Sequence, residues 1–149
     1  MLKFPMNALF LPKNKMGRIL ALDFGTKRTG IAVTDELQLI ASGLTTVNTK
    51  ELLTFLKDYF AKESVELILL GEPKRLNNVA SDVEVEIAKF RKNLEQITTI
   101  PIERVDERFT SKMAAQSMLD GGLKKKKRKN KALLDEISAT IILQSYLYR

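Results

Sequence analysis

The sequence predicts one α/β domain: a mixed five-stranded sheet, a three-strand antiparallel meander joined to two parallel strands, with helices on both faces. Three observations carry that expectation. Three strand-like runs come first, separated only by turn residues. Two further apolar runs follow, each preceded by a segment of helical spacing long enough to cross over and return parallel. A chain of 149 residues suffices for one hydrophobic core and is too short for two.

Arg18 to Phe24 is apolar on both faces apart from Asp23, the pattern of a strand in the middle of a sheet. Gly25-Thr26-Lys27-Arg28-Thr29-Gly30 reads as the turn, and Ile31-Ala32-Val33 as the returning strand. Leu39 to Val47 is the third strand. Asn48 or Thr49 is placed to cap a helix whose apolar face is Leu52, Phe55, Leu56, Tyr59 and Phe60. Val65 to Leu70 is a continuous apolar strand, expected beside the first and parallel to it, ending in Gly71-Glu72-Pro73. Ser81-Asp82-Val83-Glu84 has capping-box spacing and opens a helix with the stripe Val83, Ile87, Phe90 and Leu94. Ile102 to Val105 is the fifth strand. Thr110 or Ser111 caps a helix reaching about Leu119, and Gly121-Gly122 stops it. Leu133 to Tyr148 is the last helix, with Leu134, Ile137, Ile141 and Ser145 on one stripe.

Composition narrows the chemistry. The chain has no Cys and no His, which removes disulfides, thiol nucleophiles, Cys/His zinc sites and Ser-His-Asp triads. Any metal must be held by oxygen, which points to magnesium or manganese. A serine or threonine nucleophile lacks a histidine base, and no lysine dyad stands out. No apolar run approaches a membrane span, so no membrane partner is expected. The formal net charge of +7 is local. Lys124, Lys125, Lys126, Lys127, Arg128, Lys129 and Lys131 account for all of it, leaving a neutral body with one basic segment. Such a segment suits phosphate contact, though charge runs of this kind are often only solvated loops. Residues 1–15 do not share the pattern of the rest and lack a signal-peptide cleavage site. They are expected to be a disordered tail or an overcalled start upstream of Met16, with residues 16–149 as the single domain of a cytoplasmic protein.

Asp23 is the first candidate site residue. A carboxylate ending a central strand is costly to bury unless a cation or donors meet it, while an Asp exposed in a turn is commonplace. The residues at a distance decide between these. Asp-x-Gly-Thr-Lys-x-x-Gly from Asp23 to Gly30, Asp-Glu-Arg-Phe-Thr-Ser at 106–111, and Leu-Asp-Glu-Ile-Ser-Ala-Thr-Ile-Ile-Leu-Gln at 134–144 occur in that order. Together they closely resemble the bacterial YqgF/RuvX family, from Met16 to about Tyr148. The first motif alone is weak, because sugar kinases and actin-like ATPases carry a similar phosphate loop. Those proteins need two related domains to enclose a nucleotide, which this chain cannot supply.

The resemblance implies a ribonuclease H-like fold and a catalytic, metal-binding set of Asp23, Glu107 and Asp135. Asp106 is the less favoured substitute for Glu107, and bland roles exist for each acid: Asp135 at a helix N-terminus, Glu107 paired with Arg104 or Arg108. On the last helix Asp135 shares a face with Ser138, Ala139 and Ile142. Small Ser138 and Ala139 would let that helix lie close to the sheet and bring Asp135 near Asp23. Two carboxylates about 4 Å apart repel by roughly 4 kcal/mol at an effective dielectric near 20, so a cation such as Mg2+ or Mn2+ is their natural counter-charge. Two such ions could activate water and stabilise the leaving oxygen in phosphodiester hydrolysis. Lys27, Arg28 and Arg108 stand beside the acids as candidate phosphate contacts, with solvated turn charge the competing role for Arg28. Thr26 offers a hydroxyl in the same turn, and Lys124–Lys129 are candidate contacts to the nucleic-acid backbone. One position departs from the family: Gly71-Glu72-Pro73 replaces its usual Gly-Leu-Pro. Glu72 either joins the acids or, as strand alternation slightly favours, faces away.

The implied function is metal-dependent hydrolysis in structured RNA, at the 5′ end of pre-16S ribosomal RNA. The alternatives are a Holliday junction resolvase acting on DNA and a non-catalytic nucleic-acid-binding module. Oligomeric state stays open between a monomer and a weak dimer.

Overall fold

The structure is a computed structural model and describes residues 17–72, 83–106 and 131–149. In chain order the elements are β1 (Arg18–Asp23), β2 (Arg28–Thr34), β3 (Ala41–Asn48), a 3-10 turn (Thr49–Glu51), α1 (Leu52–Lys62), β4 (Val65–Glu72), α2 (Glu84–Ile97), β5 (Ile102–Asp106) and α3 (Lys131–Leu147). The five strands form one sheet in the order β3-β2-β1-β4-β5. β1 pairs antiparallel with β2, and β2 with β3. β1 pairs parallel with β4, and β4 with β5. This is the mixed ribonuclease H-like sheet expected, with β1 at its centre: Ile19, Leu20, Ala21 and Leu22 are all buried.

Strand alternation divides the core in two. Leu20, Leu22, Phe24, Ile31, Val33, Ile68 and Leu70 face α1 and α2, where they meet Leu52, Leu56, Ile87, Phe90 and Leu94. The rings of Phe24 and Phe90 lie 5.3 Å apart and close this layer at the end of β1. Ile19, Ala21, Ala32 and Leu69 face the other way and pack on Ala139, Ile142 and Leu143 of α3. The α2 stripe matches its expected residues, with Val83 packed at its edge; Ser81, Asp82 and the expected helix after Thr110 lie outside the described residues.

Three local expectations are corrected. β3 begins at Ala41, and Leu39 and Ile40 are about two-thirds exposed. The cause is Asp35: its carboxylate accepts the N–H groups of Leu39 and Ile40, each at 2.8 Å, and of Leu37 at 3.2 Å. Those donors are thereby withdrawn from the strand ladder, and Gln38 turns the chain with φ of 61°. Neither Asn48 nor Thr49 caps α1 with its side chain; the 3-10 turn leads into the helix instead. On α3 the face against the sheet is Ser138, Ala139 and Ile142, the face expected to lie close to it with Asp135; of the stripe Leu134, Ile137, Ile141 and Ser145 only Ile141 is buried. The helix is apolar on most sides, so its periodicity offers two stripes, and the sheet takes the smaller one because it packs closer.

Candidate active site

Parallel strands β1, β4 and β5 end together, and the crevice beyond the carboxyl ends of parallel strands is the usual place for a ligand in an α/β sheet. Asp23 is the last residue of β1, half-buried, and pairs in register with Gly30 of β2. It follows Ile19 and Ala21 in the alternation, so it belongs to the face covered by α3.

Gly30 explains how α3 reaches that end. In the sequence Gly30 reads as a turn glycine; in the structure it lies within β2. A Cβ built on it would fall 2.0 Å from the carbonyl oxygen of Asp135 and 2.9 Å from the amide nitrogen of Glu136. Backbone thus meets backbone here, an approach that only a residue without a side chain permits. A second glycine, Gly43 on β3, leaves room for the Glu136 side chain. The Thr46 hydroxyl donates to the carbonyl of Ala132 at 2.6 Å, tying the first turn of α3 to the edge strand. These contacts fix where Asp135 stands.

Asp23 and Asp135, 112 positions apart in the chain numbering, line one pocket of about 410 Å³ together with Phe24, Gly25, Arg28, Leu134 and Ser138. Arg28, the first residue of β2, donates from Nε to Asp135 Oδ2 at 3.0 Å. Both side chains are partly shielded, 35% and 22% exposed respectively. The expected closeness of the last helix to the sheet and of Asp135 to the end of β1 is therefore present. Arg28 is a charged partner inside the pocket rather than a solvated turn residue.

The turn between Asp23 and Arg28 is held from outside. The Thr49 amide donates to the carbonyl of Lys27 at 2.9 Å, and the Thr49 hydroxyl donates to the carbonyl of Gly25 at 2.5 Å. With its one proton so used, Thr49 accepts from the buried hydroxyl of Thr29 at 2.9 Å. Sequence reading takes Thr49 for a helix cap and misses this role; no local signal distinguishes a cap from a clamp on a distant turn. Thr26 and Lys27 are exposed at the tip.

Glu72 and Asp106 sit at the same end of the sheet but on its other face. They pair in register with each other, continuing Leu70–Arg104 by two residues. Leu70 in turn pairs with Leu22, and both face α1 and α2. Alternation therefore assigns Glu72 and Asp106 to the face opposite Asp23. Arg104 is bonded to Glu84 at 2.7 Å and to the carbonyls of Leu70 and Gly71 at 3.1 and 2.9 Å. It secures the end of β4. Glu107, Arg108 and Lys124 to Lys129 lie outside the described residues. Among the described residues no three acids converge; Asp23 and Asp135 form a pair. With Ser138 beside them the pocket offers oxygen donors and no softer ligand, a set suited to a hard divalent cation.

Among the described residues no helix is long and apolar enough to cross a membrane. A "Putative pre-16S rRNA nuclease" of Christiangramia forsetii is 67% identical over 134 residues, covering 89% of this chain and 99% of the relative. The protein of the same name from Flavobacterium psychrophilum is 59% identical over 138 residues, covering 90% and 98%. The crystal structure of the fowlpox virus Holliday junction resolvase aligns with 88% of this chain and 98% of its own at 15% identity and a TM-score of 0.46. Residues 17–149 match the RuvX family, described as Holliday junction resolvase, and with relatives this similar across nearly their whole length the chain belongs to that family.

Proposed function

We propose that this protein is a divalent-metal-dependent nuclease that trims the 5′ end of pre-16S ribosomal RNA in the cytoplasm. The observation that carries the reading is the meeting of Asp23 and Asp135, from opposite ends of the chain, in one pocket at the carboxyl end of the central strand. The names of the most similar relatives support ribosomal RNA as substrate. Asp23 and Asp135 would hold magnesium or manganese, with Glu107 completing the set. The bound ions would supply an activated water and a counter-charge for the leaving oxygen. Lys27 at the exposed tip of the clamped turn and Arg28 at its end would contact the scissile and flanking phosphates, and Arg108 would join them. Lys124–Lys129 would engage the nucleic-acid backbone and set affinity rather than chemistry.

A second reading, cleavage of junction DNA, rests on the family's description. Purified protein assayed on pre-16S ribosomal RNA and on four-way junction DNA, with and without manganese, separates the two. Asp23→Asn is expected to abolish metal-dependent cleavage while thermal unfolding and substrate binding stay close to wild type. Wild-type cleavage by the Asp23→Asn protein would refute the metal site. Tight binding without cleavage of either substrate would make the protein a binding module.

A further inference from the structure

Arg28 bears on more than phosphate contact. Its Nε is bonded to Asp135 Oδ2, and both side chains line the pocket that holds Asp23. A guanidinium is charged at every accessible pH, so the pocket carries a permanent cation of its own beside one of the two acids among its described lining residues. Magnesium and manganese need carboxylate oxygen at much shorter range, about 2.0–2.1 Å for magnesium. An ion arriving at Oδ2 must share that oxygen with Arg28 Nε, cation beside cation. An ion arriving at Oδ1 would stand next to the guanidinium's positive charge in a partly shielded site. By either route Arg28 opposes the metal.

The backbone around this pair leaves little freedom except in the arginine side chain. Asp135 is held by the contact of its own carbonyl with Gly30, two residues from Arg28 on the same strand. The turn before Arg28 is held by Thr49. A substrate phosphodiester can take the guanidinium in a two-pronged contact through both of its non-bridging oxygens, whereas Asp135 engages it through Nε alone.

We propose that Arg28 is a positioning residue that competes with the divalent metal for Asp135 and releases the carboxylate when a substrate phosphate draws the guanidinium away. Metal and nucleic acid then bind with positive coupling, each tightening the other by the same factor, as linkage requires. The proposal rests on the metal-site reading above.

The test is calorimetric titration of manganese into the whole protein, alone and with saturating short single-stranded RNA, after subtraction of manganese binding to the RNA itself. Wild type is compared with Arg28→Gln, Arg28→Lys and Asp135→Asn. RNA should tighten manganese binding to wild type by roughly tenfold, within the usual range for coupled sites. Arg28→Gln should bind manganese more tightly than wild type without RNA, by about that same factor, and lose most of the coupling. Arg28→Lys, which keeps the charge, should restore the weaker binding. Equal manganese affinity in wild type and Arg28→Gln, or coupling as large in the variant as in wild type, overturns the proposal. Should Arg28→Gln fail to fold, the wild-type arm decides alone: no tightening by RNA overturns it. Manganese binding that survives intact in Asp135→Asn refutes the metal site, a failure distinct from that of the Arg28 exchange.

Discussion

On one face of the sheet Leu20, Leu22, Ile31, Val33, Ile68 and Leu70 meet α1 and α2 through large side chains. On the other, Ala21, Ala32 and Gly30 meet Ser138, Ala139 and the backbone of Asp135. Large side chains keep the first pair of helices at a distance and bury much apolar area, at roughly 25 cal/mol for each Å² removed from water. Small residues bury less but let α3 come down until its carbonyl lies over Gly30. The first face is built for stability. The second gives up some apolar burial to place a carboxylate beside Asp23 with its backbone fixed on both sides. Acids at the end of the sheet follow the same division: Asp23 belongs to the face of α3, and Glu72 and Asp106 to the other.

The comparison can be broken by substitutions on each face. Leu56 of α1 is fully buried on the large-residue face, and Leu56→Ala is expected to cost about 2–5 kcal/mol of stability. Chemical denaturation should show that loss, while kcat measured on the folded fraction stays near wild type. A fall in kcat beyond the folded fraction would mean that the two faces are not separable.

Gly30→Ala probes the other face. The added methyl meets backbone rather than a yielding side chain, so α3 must shift, at an expected cost of about 1–3 kcal/mol. The loss of stability should be smaller than for Leu56→Ala and the loss of metal-dependent cleavage far larger, since Asp135 moves with the helix. Full cleavage activity in Gly30→Ala would show that the position of Asp135 is not set by this contact.

The smallest effect sharpens the comparison with a carboxylate far from the pocket. Asp35, at the opposite end of β2, has its pKa lowered from the ordinary 3.8, chiefly by the hydrogen bond from the Ile40 amide, which desolvation partly offsets, and further by that from Leu39. A carboxylate whose folded-state pKa is depressed stabilises the fold above its unfolded value, and the contribution fades as pH falls through the folded value. Asp35→Asn should therefore be slightly less stable than wild type near neutrality, with the gap closing below pH 3.8. Cleavage should be unaffected. A gap that is independent of pH would show that the carboxylate charge plays no part in the turn.

Much of this protein could be read from its residues in order. The strands at β1 and β4 are legible because each is apolar on both faces, a pattern that only a strand buried between helices supports. The stripe of α2 is legible because Ile87, Phe90 and Leu94 stand out from a polar background. Asp23 and Asp135 are legible as a pair only through motif order, since each alone suits a turn or a helix start.

Tertiary structure decided the rest. The sequence offers α3 two stripes, and only the folded sheet shows that the one with Ser138, Ala139 and Ile142 is buried. Gly30 is indistinguishable from a turn glycine until a helix from the far end of the chain is laid across it. Thr49 resembles a cap until the turn it clamps is folded beside it. Alternation favoured Glu72 facing away from Asp23, and the register of β4 against β1 is what puts it there. Composition and local period are properties of neighbours in sequence, and the sequence determined what rests on them. Close approach, register and the pairing of Arg28 with Asp135 are properties of residues that meet only after the sheet has formed.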